Sequence, residues 1–366
     1  DTMVTTNILG AIIEKFTSSD INLSPNPIYK DDAKTILKHP GLDNHDMGTI
    51  FEELIRKFNE ENNEEAGEHW TPRDVVELMA DLIFVPIADQ IKDATYACYD
   101  GACGTGGMLT VAQDRLMQLA EQSGKKVSIH LFGQEINLTT YNLARINMFL
   151  HDVNFDKFSL AREDTLKHPM HWDDEPFDAI VSNPPYSIKW EGKNNPLNIN
   201  DPRFSPAGVL YRGGAEGKIR DYLVRNNFVD AVIQLPADLF FGTTIATCVL
   251  VLKRSKATSD ILFVDASNEF VRSDAKNKLA QANIDRIANA VIERAEEEHF
   301  SVLVPNDDVL ANDANLSVSS YVEKPDEREE VDIAALNAEI ARIVAREQEL
   351  RDAIDEIIAD LEGGTR

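Results

Sequence analysis

Two spacings of apolar residues divide this chain. Between positions 47 and 58, Ile50, Phe51, Leu54, Ile55 and Phe58 lie on one face of a 3.6-residue helical repeat. The region 1–66 as a whole reads as helical and mostly polar, and the acidic stretch 59–68, which contains Gly67, reads as a linker. Thr71-Pro72-Arg73-Asp74 then predicts a helix start, with Thr71 as N-cap, Pro72 in the first helical position and Asp74 completing a capping box. Val75, Val76, Leu78, Met79, Leu82 and Ile83 supply its buried stripe. From residue 95 the pattern changes: 95–100, 128–135, 177–181, 228–236, 245–252 and 261–265 are short apolar runs of strand character, the last read as the final strand. Helices are expected at 108–122, 137–151 and 218–226.

The cleanest periodicity comes last. Ile333, Ile340, Glu347, Ile354 and Leu361 recur every seventh residue, with Leu336, Ile343, Leu350 and Ile357 at the alternate positions. This is a coiled-coil seam over four heptads, interrupted by Glu347. It reads as a docking helix; the other way to cover the stripe is a helical hairpin within the chain. The divisions expected are a helical region 1–66, an α/β domain 67–270, a mixed connecting region 271–330 and a heptad helix 331–366.

Composition narrows the class. The 366 residues suffice for two or three domains, and 43% hydrophobic with 27% charged residues is ordinary for a globular protein. No apolar run approaches the ~18 residues of a membrane span, so no membrane association is expected. Cys98, Cys103 and Cys248 form no CxxC pair, which predicts reduced thiols and a cytoplasmic setting. His168 and His171 near Asp164, Asp173 and Asp174 read as a solvated polar loop, and no metal site is expected. The net charge of −27 lacks the basic footprint of a protein that grips nucleic acid alone. If the chain acts on nucleic acid, a partner supplies most phosphate contacts.

Candidate chemistry starts at 101–107. A strand ending at Asp100 runs into Gly101-Ala102-Cys103-Gly104-Thr105-Gly106-Gly107 and then a helix, the first half of a nucleotide-binding α/β unit. A phosphate-cradling loop would end Gly-Lys-Ser/Thr, whereas this one ends Gly106-Gly107-Met108. A dinucleotide fingerprint beginning at Gly104 would need a third glycine where Leu109 stands. What remains is S-adenosylmethionine, whose amino-acid end needs no phosphate cradle, or a plain structural turn. Glu135, at the end of the next strand, is placed to accept ribose hydroxyls or to serve as an N-terminal charge on the helix after it. Asp164 is a candidate acceptor for an adenine amino group. The helix start at Thr71 offers N–H groups to a ligand carboxylate.

The second candidate is Asn183-Pro184-Pro185-Tyr186, directly after a short strand. Asn183 offers a side-chain acceptor, Pro184 its carbonyl and Tyr186 a flat apolar face, a set suited to an exocyclic amino group on a heterocycle. The bland reading is a strand stopped by two prolines. Beyond it, 187–217 is rich in Asn, Pro and Gly and shows no crossover helix, although a parallel sheet requires one. A segment therefore reads as missing near Leu210-Tyr211. The chain also begins at Asp1 without methionine, which reads as a fragment.

Together, Glu68-His69-Trp70-Thr71-Pro72-Arg73, the Asp100–Gly107 loop and Asn183-Pro184-Pro185-Tyr186 resemble the modification subunits of type I restriction–modification systems, a family of DNA amino-methyltransferases. The resemblance covers about 40–265. It implies a Rossmann-like, seven-stranded methyltransferase sheet with a helical N-terminal region, and N6-adenine methylation from S-adenosylmethionine. It also implies DNA with the target adenine flipped out, and a separate specificity subunit, often with two modification subunits to one. The resemblance further implies that a restriction subunit with helicase activity can join the complex. Glu68, His69, Trp70, Thr71, Pro72, Arg73, Asp100, Gly104, Thr105, Gly106, Gly107, Glu135 and Asp164 are the cofactor candidates, and Asn183, Pro184, Pro185 and Tyr186 the catalytic ones. Departures are Gly101 where the family usually has proline, His69-Trp70 for a Phe/Tyr pair, the gap near 210, and a short N-terminal domain. N4-cytosine methylation and a non-catalytic scaffold in a defence complex are the rival readings.

Overall fold

The computed structural model describes residues 8–18, 20–61, 71–174, 176–184, 215–240, 244–273, 276–323 and 333–363. The chain divides into two compact units, 1–323 and 324–366. Helix α1 (Ile8–Phe16), a small hairpin of β1 (Ile28–Tyr29) and β2 (Leu37–His39), and α2 (Asn44–Glu61) come first. Helix α3 (Arg73–Phe84) follows, then β3 (Ala94–Asp100), α4 (Gly107–Gln122), β4 (Val127–Glu135), α5 (Leu138–Leu150), β5 (Phe158–Arg162) and β6 (Ala179–Ile180). These four strands make an all-parallel sheet in the order β5-β4-β3-β6.

The rest of the first unit adds α6 (Ala215–Arg225), β7 (Val229–Gln234), β8 (Cys248–Leu252), β9 (Asp260–Asp265), a hairpin of β10 (Val271–Ser273) and β11 (Lys276–Lys278), α7 (Gln281–Glu293), β12 (Ser301–Pro305) and α8 (Asn306–Ala311). A second sheet has the order β12-β9-β7-β8, with β7 parallel to β9 and antiparallel pairs at both edges. The strand at 261–265 is therefore not the last. β12 extends the ladder through Val302, Leu303 and Val304 opposite Phe263, Leu262 and Ile261. Among the described residues the strands form two four-stranded sheets rather than the expected single seven-stranded one. Among the described residues β6 ends the first sheet and β8 ends the second. The expected break near 210/211 falls outside the described residues.

Helix α3 joins the two halves through its opposite stripes. Val76, Ala80 and Phe84 enter the core of the first sheet with Leu109, Leu116 and Leu131. Val75, Leu78 and Leu82 enter the core of the second with Ile233, Leu262 and Ile287. A 3.6-residue repeat with two apolar stripes is what a helix between two sheets requires. The other face of the first sheet is covered by aromatic rings, because alternate residues of β3 and β4 point oppositely. Tyr99 stacks on Phe177 at 4.8 Å, and Phe132 meets His171 edge-on at 5.4 Å. His171 is thus buried, its Nε2 3.0 Å from the Gly133 carbonyl, rather than part of a solvated loop.

The second unit contains α9 (Ile333–Gly363), a 31-residue helix. Ile340, Ile343, Leu350, Ile354 and Ile357 are all exposed, and Glu347 accepts from Arg351 one turn on at 2.7 Å. No helix among the described residues is long and apolar enough to cross a membrane.

Candidate active site

Four candidate residues stand at the carboxyl ends of the four parallel strands. Asp100 ends β3, Glu135 ends β4, Asp164 lies just beyond β5 and Asn183 just beyond β6. The chain leaves β3 toward β4 and β5 on one side and returns as β6 on the other, so β3 lies at a topological switch point, where open α/β sheets bind ligands. β6 is anchored beyond its two ladder residues: the Val181 amide donates to the Tyr99 carbonyl at 3.0 Å, and the Ala97 amide to Asp178 at 2.8 Å.

The glycine loop is held from below. The amide of Cys103 donates to the Gln134 carbonyl at 3.0 Å, and that of Gly104 to Glu135 Oε2 at 3.1 Å. Gly106 has φ +82°, and a Cβ there would lie 2.6 Å from Met148 Cε. The Thr105 carbonyl accepts from the buried Asn147 amide at 3.1 Å. Two residues overlooked in the sequence set this geometry. A Cβ on Gly133 would meet Leu160 at 2.5 Å and Cys103 Sγ at 3.0 Å, so loop and strand approach as closely as glycine permits. Gln134, fully buried, donates to the carbonyls of Glu163 and His168 and accepts from the Met170 amide, fixing the loop that carries Asp164. A polar residue inside an apolar strand was the available signal.

Asp100 is fully buried. Its Oδ1 accepts from the Ala102 amide at 3.0 Å, while Oδ2 is buried with no partner at hydrogen-bonding distance among the described residues. Burial pushes its carboxyl up to about 7, against the pull of the Ala102 amide and the Ser182 hydroxyl, and nearby Glu135 adds to the rise. Burial likewise pushes the Cys98 thiol up to about 12, and all three cysteines are free. Glu135 Oε1 accepts from the Asn137 amide at 2.8 Å, so the carboxylate ties the glycine loop to the start of α5, whose N-cap is Asn137. Asp164 spends Oδ1 on the Leu166 and Lys167 amides.

The expected capping box is absent. Helix α3 has Pro72 as N-cap with no side-chain cap bond. Thr71 turns its hydroxyl elsewhere, accepting from Asn183 Nδ2 at 2.9 Å, and Asp74 binds the Leu279 amide. Arg73 pairs with Glu77 on its own helix at 3.4 Å. Thr71 Oγ1 also lies 3.9 Å from Met108 Sδ in the first turn of α4. The structure therefore brings Thr71, the glycine loop and Asn183 together. Pro184 is exposed beside them. Glu68, His69, Trp70, Pro185 and Tyr186 lie outside the described residues. Phe240 is buried in the second core. Among the described residues no three His, Cys, Asp or Glu side chains converge as a metal site.

The family described as N-6 DNA Methylase matches this chain over 42–209 and 204–330. The methylase subunit of the type I restriction enzyme MpnII of Mycoplasma pneumoniae is 37% identical over 359 aligned positions, taking in 86% of this chain and 64% of that protein. The MjaVII methylase subunit of Methanocaldococcus jannaschii is 28% identical, taking in 88% of this chain and 64% of its own length. The chain thus spans just under two thirds of these curated relatives. Among solved structures, a type I restriction–modification methyltransferase subunit from Streptococcus thermophilus superposes with a TM-score of 0.61 at 33% identity, covering 70% of this chain and 60% of that one. The EcoKI M protein shares the fold, at TM-score 0.54 and 16% identity. With the family's pattern matched along most of its length, and an α/β sheet whose strand ends carry the motif residues, the chain belongs to the N-6 DNA methylase family.

Proposed function

We propose that this chain transfers a methyl group from S-adenosylmethionine to the N6 amino group of adenine in DNA, as the modification subunit of a type I restriction–modification complex. One observation carries the reading. The bond from Asn183 Nδ2 to Thr71 Oγ1 spans 112 positions and brings the Asn183-Pro184 turn to the mouth of the glycine loop.

The residues present fit the cofactor. Asp100 Oδ2 is a buried acceptor with no partner at hydrogen-bonding distance among the described residues, suited to an ammonium group, and Gly106 keeps a backbone form that admits close approach. Gly104, Thr105, Gly106 and Gly107 would line the amino-acid end with Thr71, Pro72 and Arg73, and Glu135 would take the ribose hydroxyls. Asp164 would accept from the adenine amine of the cofactor. By family resemblance Glu68, His69 and Trp70 belong to the same site. When bound, the cofactor supplies an electrophilic methyl on a sulfonium.

The chain's own work is on the amine. Adenine N6 is a weak nucleophile because its lone pair is conjugated into the ring. Asn183 Oδ1 and the Pro184 carbonyl would accept its two hydrogens, drawing the nitrogen toward tetrahedral geometry and exposing the lone pair. Neither acceptor needs to take up the proton before transfer. The target base must leave the duplex for this, with Tyr186 stacking on it at a gain of roughly 1–3 kcal/mol.

DNA recognition falls to another chain. The charge of −27 and the apolar stripe of α9 support docking to a specificity subunit, with two modification subunits to one and a restriction subunit joining them. The free thiols fit a cytoplasmic setting. Asn183→Ala tests the reading: methyl transfer in the assembled complex is lost while cofactor binding persists. Full transfer by that variant sinks it. The same amine chemistry would serve cytosine N4, and mass spectrometry of the methylated DNA separates the two. Absence of S-adenosylmethionine binding in calorimetry would favour the scaffold instead.

A further inference from the structure

Thr71 has a second role that follows from the polarity of its two contacts. Its Oγ1 lies 2.9 Å from Asn183 Nδ2 and 3.9 Å from Met108 Sδ. A thioether sulfur has no hydrogen to give and only accepts, weakly. The Thr71 O–H therefore points at Met108. Its oxygen is left to meet Asn183 as an acceptor, and of the two ends of a carboxamide only the NH2 group donates. The series Met108 Sδ, Thr71 hydroxyl, Asn183 Nδ2 has one self-consistent direction. It places Oδ1 on the branch of the amide away from Thr71.

Orientation matters here because the two ends of the amide are nearly alike in shape and opposite in function. With Nδ2 turned outward, an N–H would face the N–H of an incoming amine, donor against donor. With Nδ2 on Thr71, the outward atom accepts. We propose that Thr71 is a positioning residue that locks the Asn183 carboxamide with its oxygen toward the amine. The lock rests on the reading of Asn183 as an amine acceptor, and it adds a task to Thr71 beyond lining the cofactor end. It also explains why Thr71 does not cap α3: the hydroxyl that would accept from the helix amides is already engaged.

The lock is visible without turnover. In the intact chain labelled with 15N-asparagine, the Asn183 side-chain NH2 pair is identified by its loss in Asn183→Ala. Thr71→Val keeps the shape and removes the acceptor, so this pair should shift and its hydrogens should exchange with water at least tenfold faster. Thr71→Ser should restore both. In the assembled complex, Thr71→Val should lower the single-turnover methyl-transfer rate by about tenfold or more at S-adenosylmethionine concentrations that saturate the variant, so that any change in cofactor affinity is made up. Thr71→Ser should return the rate to within about threefold. An unmoved NH2 pair in Thr71→Val, or a defect confined to cofactor affinity, overturns the lock. Unimpaired transfer by Asn183→Ala overturns the acceptor reading instead, and the NH2 resonances still decide whether Thr71 holds the amide.

Discussion

Asp74 Oδ2 accepts the main-chain amide of Leu279 at 2.6 Å, across 205 positions of sequence. The bond ties the first turn of α3 to the segment entering α7, while Asp74 Oδ1 holds the Val75 amide at 3.0 Å. The helix that carries Thr71 at its threshold is thereby fixed to the second sheet's layer as well as to the first sheet's core. Burial raises the Asp74 carboxyl above its ordinary range, with the two amides opposing the rise. Asp74→Ala leaves a buried N–H unsatisfied, a loss of about 1–3 kcal/mol. Thermal unfolding should show a midpoint lower by several degrees, with Asp74→Asn between the variant and the wild type.

Asp100 predicts a pH-dependent stability. An unfolded aspartate titrates near 3.8, whereas this one is raised to about 7 by burial. Between those values the folded state holds more protons than the unfolded state, so stability falls as pH rises through pH 4–7 and levels off above. The slope is about 1.4 kcal/mol per pH unit where the difference is a full proton. Asp100→Asn removes this slope, so the variant should gain on the wild type between pH 5 and pH 8 in denaturant titrations. A ligand ammonium beside Oδ2 would favour the charged form. S-Adenosylmethionine binding should then release protons at pH 6 and almost none at pH 8, read by calorimetry in buffers of different ionisation enthalpy.

Gly106 should tolerate no side chain. Its φ of +82° costs other residues about 1–3 kcal/mol, and the added Cβ meets Met148 Cε at 2.6 Å. Gly106→Ala should lower the unfolding midpoint and weaken cofactor binding by at least tenfold. Met148→Ala in the same background relieves the clash and not the backbone strain, so partial recovery is the expected result.

The stripe on α9 predicts a separable docking function. Ile343 and Leu350 are exposed, so Ile343→Asp with Leu350→Asp should leave the unfolding of the 1–323 unit and its cofactor affinity unchanged. Copurification with the proposed specificity subunit should be lost. Retained copurification would assign docking to another surface.

Much of the α/β organisation was legible because its signals are local. Apolar runs of period two and 3.6 put β3, β4, α4 and α5 within a residue or two of where they lie, and glycine spacing marked the loop between β3 and α4. The motif residues at 100, 135, 164 and 183 could be named from sequence because each ends a readable strand or follows one. What local pattern could not supply was pairing. β12 was missed because Ser301-Val302-Leu303-Val304-Pro305 is a short run whose partner, β9, lies forty residues earlier, and only the fold brings them into register. Capping was misread for a related reason. Thr71 and Asp74 have the chemistry of a capping box, but in three dimensions their oxygens meet Asn183 and Leu279, and a lone pair committed to a distant donor is withdrawn from the local one. The sequence by itself determined which residues carry acceptors, glycines and apolar stripes. The tertiary structure decided which of them face one another, since the direction of the bond between Thr71 and Asn183 depends on Met108, a neighbour that neither local pattern includes.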